Sequence, residues 1–201
     1  GGIADRLQEL DRAGAELLLL DVAGNGGGND SAVVIARMLA GPDLPSPKVA
    51  FVKSLRRAAR IAETEQTIRT GPPLATPADL AIMDRVTPAL SQAYNEATKS
   101  CDLSPLWRGK VAGCTNLVRG PFFAGGLTAT DLPGTTRAGD WAETVSSTAR
   151  FSFKPYRWTK PVMVLVDQNS ASSTELLAAM LQDAGLALII GAPSQGSGCG
   201  W

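Results

Sequence analysis

The chain has 201 residues, room for one domain of ordinary size with a true hydrophobic core. With 44% hydrophobic and 19% charged residues it reads as folded rather than disordered. Its 19 basic residues cancel its 19 acidic ones, which argues against a dominant role on nucleic acid or a membrane surface. No apolar run reaches the roughly 18 residues of a membrane span. The opening Gly1-Gly2-Ile3-Ala4-Asp5 lacks the basic region and apolar stretch of a signal peptide. The expectation is that a leader was removed or that the first residues of the natural protein are missing.

Ile3, Leu7 and Leu10 lie on one face of a helix over residues 3–13, which Gly14 ends. The apolar run Glu16 to Val22 has strand length and fits a parallel strand buried on both faces. It ends in DVAGNGGGND, residues 21–30, a tight turn in which Asn25 can hold the glycines through its side chain. Asn29, Asp30 or Ser31 can cap the next helix, which carries Val33, Val34, Ile35, Met38 and Leu39. Residues 48–52 predict a second strand. Residues 54–69 and 77–100 predict helices, the latter kinked or split at Pro88. Residues 101–155 are glycine- and proline-rich with weak periodicity, so 54–155 reads as a helical and irregular insert. Order returns with a strand at 161–166, the polar turn DQNSASSTE at 167–175, a helix to Asp183, and a strand at 186–190 followed by GAPSQGSG. Repeated strand–helix units predict an α/β fold with a layered, mainly parallel sheet and helices on its faces.

Three cysteines, Cys101, Cys114 and Cys199, fit no zinc spacing, and no metal or cofactor is expected. Cys101 and Cys114 bracket a short stretch that a disulfide would close. Three free thiols in a reducing compartment is the other reading. Trp107, Trp141, Trp158 and Trp201 read as packing residues, and Lys53, Arg56, Arg57 and Arg60 as a solvated helix face balanced by Glu63 and Glu65. The chain contains no histidine, the usual general base of a hydrolase.

Two strand-to-helix turns carry the candidate chemistry. In an open parallel sheet such turns gather at the carboxyl ends of the strands, so the glycine turn and the serine turn can face each other. The glycine turn can offer N–H groups to a phosphate or an oxyanion, or be a turn and nothing more. It matches neither the dinucleotide fingerprint nor, lacking lysine, a P-loop. Ser172 with Glu175 three residues on is a capping box. A serine there is also favoured as a nucleophile by the positive helix end, with the Ser173 N–H beside it. The G-x-S-x-G elbow is absent.

The stretches LLLLDVAGNGGGNDSAVVIARML and PVMVLVDQNSASSTELLAAMLQDAGLALIIGAPSQGSG, in that order, resemble the glycine turn and the nucleophile strand, turn and helix of the S41 peptidases, the tail-specific or carboxy-terminal processing proteases. Residues 54–155 carry no resemblance. The resemblance implies a ClpP/crotonase-like layered fold and Ser172 as the nucleophile of a serine endopeptidase. It implies an oxyanion hole from the Ser173 N–H with Gly27 or Gly28, and Asn25, Glu175 and Ser197 in support. The Ser-Lys branch of the family has a lysine where this chain has Ser197, and no lysine follows Lys160. The chain is therefore similar to the Ser-His-Glu branch, to which the tricorn core and the chlamydial secreted protease belong. Its histidine and acid would lie outside these residues, on missing sequence or on another fragment of the same precursor. The domain would then be a single S41-type catalytic domain over 1–201, incomplete at both ends. The expected partners are a peptide or protein substrate and other precursor fragments or a second copy, with no nucleic acid. The expected location is secreted or periplasmic. Two alternatives stand beside this: an inactive peptide- or ligand-binding module on the same fold, and a crotonase-like acyl-CoA enzyme.

Overall fold

A computed structural model describes residues 2–151 and 156–197. Gly198, Cys199 and Trp201, all weighed above, lie outside the described residues. In chain order the elements are α1 (Ile3–Arg12), β1 (Leu18–Asp21), α2 (Ser31–Ala40), β2 (Phe51–Val52), α3 (Leu55–Thr70), α4 (Pro77–Thr98), β3 (Leu117–Val118), α5 (Gly139–Val145), β4 (Val162–Val166), α6 (Ser173–Asp183) and β5 (Ala187–Gly191). The chain divides into two compact units, Gly1–Ser46 with Arg150–Trp201, and Pro47–Ala149.

The first unit is an α/β layer structure built on a parallel sheet in the order β1-β4-β5. Leu18 pairs with Val162 and that with Ala187; Leu20 pairs with Val164 and that with Ile189. Because side chains alternate along a strand, these residues and Val166 share one face. Leu7 of α1, Val33, Ala36 and Leu39 of α2, and Leu177 and Leu181 of α6 complete the core on that side. Each leucine or valine among them, once removed from water, contributes about 1.5–3 kcal/mol. The opposite face differs from expectation. Leu19 is 51% exposed, so among the described residues β1, expected to be buried on both faces, is buried on one only, and on β5 Leu188 is 57% exposed. Both lie at the edges of the sheet that the described residues form, and an unbroken apolar run cannot distinguish an edge from a centre. Only β4, between them, alternates fully buried with half-buried residues.

The second unit has its own core, formed by Ile61, Ile68, Ile82, Val86, Leu90, Val118, Phe122 and Trp141. The strand expected at 48–52 is reduced to Phe51 and Val52. It pairs antiparallel with Val118 and Leu117 of β3 rather than joining the parallel sheet. Its partner comes from the glycine-rich segment, whose strand is two residues long and leaves no periodic trace. α4 runs unbroken through Pro88. Core contacts on both sides of that residue, Ile82 and Val86 before it and Leu90 and Ala93 after, hold the helix together despite the lost hydrogen bond.

The Asp79 carboxylate, wholly buried, caps α4 by accepting the Thr76 N–H at 2.9 Å. It also accepts the Thr136 N–H at 2.9 Å and the Thr136 hydroxyl at 2.6 Å. Burial would raise its pKa, but these bonds together hold it below the ordinary value. The basic cluster is not uniformly solvated. The Arg57 guanidinium lies 3.7 Å above the Phe51 ring, and the Lys53 side chain is largely buried beside Glu96. Trp141 and Trp158 are packed as expected, but Trp107 is 89% exposed.

Candidate active site

Three turns meet at the carboxyl ends of β1, β4 and β5, all within the first unit. The first, after β1, is tied to the second by Gly24, whose N–H donates to Asp167 Oδ1 at 2.8 Å, and by the Ala171 N–H donating to the Asn25 carbonyl at 3.0 Å. Ser170, fully buried, donates its hydroxyl to the Val22 carbonyl at 2.9 Å and accepts the Asp167 N–H at 3.0 Å. The Ser170 carbonyl in turn accepts the Gln195 N–H of the third turn at 3.0 Å. The Gly24 N–H, with the Asn169 and Ser170 donors, outweighs desolvation and holds the Asp167 carboxyl below its ordinary pKa. Residue types alone did not single out Ser170. Its one local signal is a second serine in a run of small polar residues.

Ser172 stands at the N-cap of α6, where the backbone leaves β4 and reverses into the helix. It is the one non-glycine residue with positive φ among the described residues, at φ 57° and ψ −125°. A side chain held in that region costs about 1–3 kcal/mol. The capping box predicted from Ser172 and Glu175 is only half made. Glu175 Oε2 accepts the Ser172 N–H at 2.8 Å, but the Glu175 N–H donates at 2.9 Å to the Ser172 carbonyl, not to its hydroxyl. The Ser172 Oγ is buried and has no hydrogen-bond partner among the described residues. An orphaned buried hydroxyl costs about 1–3 kcal/mol more. Two local penalties thus converge on one hydroxyl.

Gly27 is packed directly against that serine. It has φ +100°, and a Cβ there would lie 2.7 Å from Ser172 Cβ and 2.8 Å from the Ala171 carbonyl oxygen. Its N–H donates to Asn25 Oδ1 at 2.9 Å. Neither the Gly28 N–H nor the Ser173 N–H, at the first position of α6, has an acceptor among the described residues. Of the two glycines expected at an oxyanion, then, one N–H is already engaged and the other is not.

Glu175 binds the third turn. Its Oε1 accepts the Ser194 hydroxyl and the Gly196 N–H, each at 2.7 Å. Its Oε2 accepts the Ser197 N–H at 3.0 Å and hydroxyl at 3.2 Å besides the Ser172 N–H. The Ser172 N–H also reaches Ser197 Oγ at 3.2 Å. Burial would raise the Glu175 pKa; the donors from Ser194, Gly196, Ser172 and Ser197 prevail and lower it. Among the described residues no group of three His, Cys, Asp or Glu is arranged to hold a metal, and no helix is long and apolar enough to cross a membrane.

A buried serine hydroxyl at the start of a helix, strained and flanked by uncommitted backbone N–H groups, has the parts of a serine hydrolase site on a layered α/β fold. The sequence profile of Peptidase family S41 matches residues 1–201, and the chain belongs to that family. The acyl-CoA enzyme alternative is thereby set aside. In fold the chain is similar to mature CPAF, the chlamydial secreted protease. Complexed with lactacystin, that protein matches at a TM-score of 0.52 and 15% identity over 97% of this chain and 33% of its own. Mature CPAF in a second structure matches at 0.51 and 13%, over 98% and 34%. The chain thus spans about a third of the length of these structures. No curated protein matches it.

Proposed function

We propose that this protein is a serine endopeptidase in which Ser172 attacks the peptide carbonyl. The observation that carries the reading is the Ser172 hydroxyl itself, buried, without a hydrogen-bond partner among the described residues, on a backbone held at φ 57°. The oxyanion of the tetrahedral intermediate is held by the N–H groups of Ser173 and Gly28, since the Gly27 N–H is engaged by Asn25. The positive end of α6 adds to that stabilisation. Collapse of the intermediate expels the amine and leaves an acyl-enzyme on Ser172, which water then hydrolyses. Glu175 and Ser197 fix the Ser172 main chain and the third turn. The general base comes from outside these 201 residues, which hold no histidine and no lysine after Lys160. It lies elsewhere on the full protein, on another fragment of the same precursor, or on a second copy. The disulfide between Cys101 and Cys114 fits the oxidising environment of a secreted or periplasmic protein.

The test is a fluorophosphonate probe on the full-length protein, with peptide mapping of the adduct. The expected result is a single adduct on Ser172, absent in Ser172→Ala. A folded full-length protein that takes no label overturns the proposal and favours an inactive peptide-binding module on the same fold.

A further inference from the structure

The segment 101–114, in the second unit, is closed on itself by the disulfide between Cys101 and Cys114. Its interior is also pinned. The Leu106 N–H donates to the Leu103 carbonyl, the Arg108 and Lys110 N–H groups donate to the Pro105 carbonyl, and the Gly109 N–H donates to the Leu106 carbonyl, all at 3.0 Å. This tight turn, Leu106–Arg108 in 3-10 form followed by Gly109 at φ +68°, presents the loop tip to solvent. At that tip Leu106 is 52%, Trp107 89% and Val111 92% exposed. Interleaved with them are Arg108 and Lys110, both exposed and neither in an ion pair among the described residues. Asp102, the loop's one acid, sits at its base and accepts the Ser104 N–H and hydroxyl.

A lone exposed apolar residue needs no explanation, but Leu106, Trp107 and Val111 are all exposed within one short stretch of a closed loop. Tryptophan with aliphatic and basic residues beside it is the composition of a bilayer interface, where the indole sits among headgroups and the cations meet anionic lipid. The loop is already ordered before contact, so little further conformational entropy is lost on docking. The balanced charge of the whole chain hides the feature, because the two cations of the tip are averaged with distant acids. We propose that this loop is a membrane-interface anchor: Leu106, Trp107 and Val111 enter the headgroup region of an anionic bilayer while Arg108 and Lys110 pair with its phospholipids.

Sedimentation of the full-length protein with vesicles tests this, comparing pure phosphatidylcholine with phosphatidylcholine containing about a third phosphatidylserine. The expected result is binding to the anionic vesicles, weak binding to the neutral ones, and brominated-lipid quenching of tryptophan emission. Trp107→Ala should lower the partition coefficient about 10-fold and abolish the quenching. Arg108→Gln with Lys110→Gln should lower it about 25-fold on anionic vesicles, at about fivefold per cation. Raising the salt to about 0.5 M should weaken wild-type binding. Failure of the wild type to sediment overturns the proposal. So do equal binding to neutral vesicles, unchanged binding of folded, disulfide-intact Trp107→Ala, and Trp107-dependent self-association without vesicle binding. None of these outcomes bears on fluorophosphonate labelling of Ser172, so the two proposals stand or fall separately.

Discussion

Replacing Gly27 with alanine probes the contact between the glycine turn and Ser172 directly. The added Cβ would lie 2.7 Å from Ser172 Cβ, 2.8 Å from the Ala171 carbonyl oxygen and 3.1 Å from Ser172 Oγ. Carbon–carbon contacts settle near about 3.5–4.0 Å, so one of the two turns must retreat by about 1 Å. The φ of +100° adds strain of about 1–3 kcal/mol for any L side chain, and overpacking about 1–3 kcal/mol more. The expected destabilisation is therefore about 2–6 kcal/mol, and a displacement of about 1 Å at the nucleophile should slow probe labelling about 100-fold. Two neighbouring glycines separate the contributions. Gly24 has φ +73° but nothing within 4 Å of a Cβ, so Gly24→Ala isolates backbone strain. Gly26 has open space and no positive φ, so Gly26→Ala should be nearly neutral. Urea melts and labelling rates on the three full-length variants give the comparison. A Gly27→Ala protein as stable and as reactive as Gly26→Ala would refute the packing described here.

Ser172→Gly should abolish labelling yet raise stability by about 1–3 kcal/mol, since it removes both the positive-φ strain and the orphaned hydroxyl; a thermal melt checks the sign. Glu175→Gln should destabilise by about 2 kcal/mol, because an amide cannot accept all five donors that converge on the carboxylate. The folded-state pKa of Glu175 is depressed from 4.5, so its contribution is fully present above that value and fades as pH falls through the lower folded one. The gap between wild type and Glu175→Gln in urea melts should accordingly narrow on acidification. Asp79→Asn should cost the second unit about 2–4 kcal/mol by orphaning the donors from Thr76 and Thr136, read as earlier loss of hydrogen-exchange protection in α4 than in α6.

Order and type of the main elements were legible in the chain, because strand runs, helix faces and glycine stops are local and one-dimensional. So were the glycine turn, the position of Ser172 at a helix start and the pairing of Glu175 with it, each carried by residue type and spacing. Three things needed the tertiary structure. Whether an apolar run is central or edge depends on neighbours, so β1 looked doubly buried and β2 looked like a member of the wrong sheet. Which half of a capping box forms depends on ψ at one residue, and at Ser172 that angle directs the Glu175 N–H to the carbonyl and leaves the hydroxyl alone. Finally, the stitching of three turns by Ser170, Asp167 and Glu175 joins atoms that only the β1–β4–β5 register brings together. No local pattern announces a hydrogen bond between turns so distant in the chain, and it is those bonds that turn a serine at a helix cap into a candidate nucleophile.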